Sequence, residues 1–94
     1  MYIPKPQDTS GVALSQEILE MTEQIAKNTH ENWAKNKIED GWVYGKELDD
    51  DKKTHPCLIE YEKLSEEDKD YDRTTAMEAI KLLIKNGYKI TKGV

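Results

Sequence analysis

The stretch Ser15–Glu39, SQEILEMTEQIAKNTHENWAKNKIE, decides the fold. Within it Ile18, Thr22, Ile25, Thr29 and Trp33 recur at steps of three and four, with Ala26, Ala34 and Ile38 beside them. That period draws one apolar stripe along a helix. Ser15 suits the N-cap, where its hydroxyl can accept from the free amides of the first turn. Glu23 with Lys27 and Glu31 with Lys35 are i,i+4 pairs in the favourable order. Gly41 sits where a stop is expected. The spacing therefore predicts one long helix from about Ser15 to about Glu39.

Upstream, Pro4 and Pro6 fix their own φ and push Ile3 and Lys5 out of helical geometry. Residues 1–13 read as an extended arm packed on the domain, with Tyr2 and Ile3 as its apolar anchors. Downstream, Gly41-Trp42-Val43-Tyr44-Gly45 places aromatic and β-branched residues between glycines, the pattern of a short strand or tight extended turn. A charged loop spans Glu47 to Lys53, His55-Pro56 enforces extension, and Cys57-Leu58-Ile59 gives a second short apolar anchor. Ser65-Glu66-Glu67-Asp68 has the form of a capping box. Tyr71, Ala76, Met77, Ile80, Leu83 and Ile84 then form the stripe of a second helix, stopped at Gly87. Ile18, Ile25, Ile80, Leu83 and Ile84 are the expected core, where the two stripes meet.

Composition narrows the function classes. Ninety-four residues make one domain with a small core. Charged residues are 35% of the chain, against roughly 25% in an average domain. No apolar run has the length of a membrane helix, so no membrane partner is expected. The net charge of -5 argues against nucleic acid, whose phosphates need a basic face. A single Cys and 2 His exclude an intrachain disulfide and disfavour a zinc site. The opening MYIPKP lacks a signal pattern, which leaves a cytoplasmic setting as the expectation. Charge is uneven: Lys46–Asp72 holds 11 acids and 5 bases, whereas Arg73–Val94 holds 5 bases and 1 acid.

Taken in order, several segments resemble the RyR domain, the repeat of ryanodine receptors that also occurs as isolated units in bacterial proteins. They are Tyr2-Ile3-Pro4-Lys5-Pro6, Asp8-Thr9-Ser10, His30-Glu31-Asn32-Trp33-Ala34, Gly41-Trp42-Val43-Tyr44-Gly45, Asp49-Asp50, His55-Pro56-Cys57-Leu58, Tyr71-Asp72-Arg73, Thr75-Ala76 and Gly87-Tyr88. The resemblance implies a mainly α fold, with two antiparallel helices and short flanking strands in a single ryanodine-receptor-type repeat. Receptor repeats come in tandem within a channel, whereas this chain reads as a lone repeat. Channel activity and regulation by kinases on the loop between repeats are therefore not carried over. Paired repeats imply a homodimer as one expected partner arrangement. Some family members look like nucleotide sensors, which implies a nucleotide-like small molecule as the other.

Four residues are candidates for ligand binding: Trp33, Trp42, Tyr44 and Arg73. An indole can stack on a flat ring such as a nucleobase; the alternative is that Trp33 and Trp42 fill a core that has no Phe. Arg73 is the only Arg among 14 basic residues, which suggests a bidentate fork for carboxylate or phosphate. The alternative is an internal salt bridge to Asp49, Asp50 or Asp72. His30 and His55 read as structural hydrogen-bonding groups and Cys57 as a buried, inert thiol. Asp49-Asp50-Asp51 lacks the ligand spacing of a calcium loop and reads as a solvated turn. No catalytic residue, metal or cofactor is expected. The expected function is a cytoplasmic, non-catalytic binding module for a nucleotide-like small molecule; the alternative is an interaction or scaffold domain without a ligand.

Overall fold

Ser15 caps the long helix as its position requires. In this computed structural model, which describes residues 1–93, its Oγ accepts from the Ile18 N–H at 3.2 Å, and α1 runs Gln16–Glu39. The helix closes at Asp40, and Gly41 follows at φ 91°, a left-handed turn that favours glycine. The chain then enters β1, Val43–Tyr44, and returns as β2, Thr54–His55. These two strands pair in parallel, Val43 opposite Thr54 and Tyr44 opposite His55. Sequence had left their direction open. A Cβ on Gly45 would lie 2.6 Å from the Thr54 Cβ, so glycine is what lets the strands approach there.

The loop between the strands folds back through an antiparallel bridge of Asp49 with Thr54. Asp49 accepts the N–H groups of Asp51 and Lys52 at 3.0 and 3.1 Å, which makes the acidic run a self-bonded turn. After a single 3-10 turn at Tyr61–Lys63, Ser65 caps α2, Glu66–Lys85, by accepting from the Asp68 N–H at 3.1 Å. Gly87, at φ 92°, follows its end. The helices run in opposite directions: the first turns of α2 face His30 and Trp33, Arg73 reaches back to Glu23, and Lys92 in the tail reaches Glu17 at 3.6 Å.

The core is not where the two stripes predicted it. Ala26, Tyr61 and Leu64 are buried together, with Cys57 and Ile59 packed on them. Ile18, Ile25, Ile80 and Ile84 are only half-buried, and Leu83 is 48% exposed. Ala76 is buried on α2, and Leu83 falls at the rim of the face that carries Met77, Ile80 and Ile84. The 3-10 turn supplies the large ring instead, because Tyr61 enters the space beside the small Ala26 of α1.

The expected anchors of the arm also fail. Tyr2 and Ile3 are 83% and 70% exposed, so neither ring nor side chain is buried on the helices. Thr9 makes the contact, its buried hydroxyl donating to Glu78 at 2.7 Å. Extended ends leave a radius of gyration of 16.2 Å, above the ~13 Å typical of a compact chain of this length. Among the described residues no helix is long and apolar enough to cross a membrane.

Candidate functional site

Two histidines and two tryptophans meet where α1, β2 and α2 converge. His30 is buried in α1, and its Nε2–H donates to the Ile59 carbonyl at 2.7 Å, which fixes the ring. His55, at the end of β2, accepts the Cys57 N–H at Nδ1, 3.0 Å away. Burial, helped by the nearby Lys37 charge, holds the His55 imidazole below its ordinary pKa. Both histidines thus have the structural hydrogen bonds their sequence context suggested. Trp33 stands between them, its centroid 5.5 Å from His30 in a stacked arrangement and 4.8 Å from His55 edge-on.

Trp33 is half-buried and lines a recess of about 190 Å³ with His30, His55, Cys57, Leu64, Asp68, Tyr71 and Asp72. The Cys57 thiol lies 3.8 Å from Asp68, and burial followed by the Asp68 carboxylate pushes its pKa up. A thiol so held is a poor nucleophile. Burial also raises Asp72, and the neighbouring Asp68 charge adds to the rise. Among the described residues no cluster of His, Cys, Asp and Glu is placed to hold a metal ion.

The other three candidates lie elsewhere. Trp42 is buried, with His55 at 6.3 Å and the Lys37 ammonium 4.4 Å over its ring, so packing accounts for it. Tyr44 is 54% exposed on β1 and does not line the recess. Arg73 does not line it either. Its Nε and Nη2 bind Glu23 bidentately at 2.7 and 3.1 Å, while Nη1 reaches Glu66 at 2.8 Å and Asp70 at 2.9 Å. The internal salt bridge forms, but with none of the three expected partners. Asp49 and Asp50 belong to the β1–β2 loop, and Asp72 faces the recess instead. Tyr61 completes the Arg73 cluster, donating its hydroxyl to Glu23 at 3.0 Å. Desolvation and that bond push its phenol up to about 12.

Sequence reasoning missed Asp68, Tyr71 and Asp72 as lining residues. A signal was there: Asp68 and Asp72 are like charges at i,i+4, an arrangement that costs helix stability unless something else uses it. A larger groove of about 820 Å³ lies between the arm and α2, but it contains no aromatic ring and the Thr9–Glu78 bond joins its walls. A family model described as the RyR domain matches residues 2–92, nearly the whole chain, and the chain belongs to that family.

Proposed function

We propose that this member of the RyR domain family is a non-catalytic, cytoplasmic binding module that takes a small flat ligand in the recess beside Trp33. The half-buried indole carries this reading, since it lines a recess and is not itself a member of the buried cluster of Ala26, Tyr61 and Leu64, of which only Leu64 reaches the recess wall. Catalysis finds little support there. Cys57 is kept protonated by burial and Asp68, and His55 has its Nδ1 committed to a backbone amide. A nucleotide-like ligand fits such a site ring first, with its phosphates outside, because Asp68 and Asp72 repel anions. Arg73 cannot serve as the phosphate anchor while three carboxylates occupy it.

The test is a thermal-shift series with adenosine and NAD-derived compounds on wild type and Trp33→Ala. A shift that disappears in the variant supports the reading. No shift with any compound, together with loss of folding in Trp33→Ala, makes the indole a structural residue. A second reading rests on a different observation. Leu82, Leu83, Tyr88 and Ile90 leave apolar surface exposed at the end of α2 and the tail, which suits a scaffold role through homodimerisation. Sedimentation showing only monomer at high concentration would remove it.

A further inference from the structure

Asp68 and Asp72 lie one turn apart on α2, and both line the Trp33 recess. Among the described residues neither forms an ion pair, and the one side-chain contact either makes is the weak Cys57 thiol on Asp68. The nearest cations are engaged elsewhere. Arg73 is held by Glu23, Glu66 and Asp70; Lys69 pairs with Glu66 at 3.3 Å; Lys37 covers Trp42. Neither histidine hydrogen-bonds them, since His30 faces the Ile59 carbonyl and His55 accepts an amide; His30 offsets the burial of Asp72 only through its field.

The recess therefore combines the Trp33 and Tyr71 rings with two carboxylates that form no ion pair among the described residues. We infer that it selects a planar cation of the amidinium or guanidinium class. Such a group presents N–H donors at its edge to carboxylates and a delocalised charge at its face to an indole. This deepens the proposed function and rests on it: that reading supplies a flat ligand, and the carboxylates supply the sign of its charge. An anionic head would meet uncompensated Asp68 and Asp72. A neutral ring with N–H groups could donate to a carboxylate but would leave the charge of the pair unbalanced.

Three ligands of nearly the same shape separate ring from charge: benzamidinium, benzamide and benzoate. Each is titrated into the full chain and followed by the indole N–H cross-peak of Trp33 in nuclear magnetic resonance spectra. Benzamidinium is expected to bind at least about tenfold more tightly than benzamide, with benzoate weakest, and added salt should narrow the gap. Asp72→Asn and Asp68→Asn should each reduce that preference by several fold while the rest of the spectrum stays that of the folded chain. Asp72→Asn is the cleaner variant, because Asp68 also lies in the capped first turn. Acetyl-arginine amide tests the source of the cation. Tighter binding than benzamidinium supports an arginine side chain of a peptide, and weaker binding supports a free aromatic amidine. Equal binding of benzamidinium and benzamide would overturn the charge inference and leave the flat-ring reading standing. So would a preference that survives both substitutions. Absence of benzamidinium binding alongside a Trp33-dependent shift with a nucleotide would likewise remove the inference alone.

Discussion

Residues 72 and 73 are neighbours on α2 and live in opposite electrostatic worlds. Arg73 is surrounded by three carboxylates and spends four of its five N–H donors on them. Asp72, one residue round the helix, shares a recess with another carboxylate and has no ion-pair partner among the described residues. The chain has the charges to balance both, and it concentrates the compensation on one side. Arg73 clamps α2 to Glu23 of α1, beside the buried Tyr61. The difference separates a region that holds the two helices together from a recess whose carboxylates are left without an ion pair.

The largest effect should come from the clamp side. Tyr61→Ala removes a buried ring and the hydroxyl on Glu23, and should cost about 3–5 kcal/mol in chemical denaturation, the range for a buried aromatic. A cost as small as that of a surface change would mean that the cluster of Ala26, Tyr61 and Leu64 is not the core. Next, Arg73→Lys should lower the melting temperature although charge is kept, because an ammonium cannot bind Glu23 bidentately and reach Glu66 and Asp70 together. If Lys matches Arg, the clamp is only a point charge and the contrast with Asp72 weakens.

On the recess side, Trp33→Ala should cost roughly 1–2 kcal/mol, below the value for a fully buried ring, while removing ligand-induced shifts of the melt. A loss comparable to Tyr61→Ala would erase the distinction between the two regions.

Acid titration sharpens the comparison because the two sides have opposite signs. Hydrogen bonds from Arg73 hold the Glu23 and Glu66 carboxyls below their ordinary pKa. Their stabilisation is complete above the ordinary carboxylate range and is lost as pH falls through the lowered folded values. Asp72 is raised by burial, so its charged form opposes folding at neutral pH, and that penalty lifts as pH falls through its raised value. Asp72→Asn should accordingly hold or slightly raise the melting temperature near pH 7, an advantage that shrinks on acidification. A clear loss of stability at neutral pH would show that Asp72 has a stabilising partner.

The smallest effect is expected at Leu83. A buried Leu in the predicted core would cost about 2–5 kcal/mol on truncation. At 48% exposure, Leu83→Ala should stay within about 1 kcal/mol, as surface substitutions usually do. A larger loss would put the face at the end of α2 in an interface, in line with homodimerisation.

Local chemistry was legible in the sequence. Ser15 and Ser65 cap the helices they were expected to cap, Gly41 and Gly87 stop them, and the Gly41–Gly45 segment contains a strand. Each of these depends on a few adjacent residues and on backbone geometry that those residues themselves fix. Half of the site was legible in the same sense. Trp33 could be singled out as an indole on a known helix face, yet all its neighbours in the recess except His30 come from residues 55–72.

What sequence alone determined about this protein is therefore its helices, their ends and its family. Periodicity, caps and an ordered set of short motifs survive without any knowledge of packing. Tertiary structure decided which large side chain fills the core: Tyr61 from a single 3-10 turn is buried against Ala26, whereas Leu83 is 48% exposed. It also decided which carboxylates Arg73 would bind, choosing Glu23, 50 residues away, over the nearby Asp72. Contacts of that range depend on how two helices are rotated against each other. A pattern of three- and four-residue steps fixes a helix face only to within a neighbouring residue, and that margin is what separates Asp72 from Arg73 and Leu83 from Ile84.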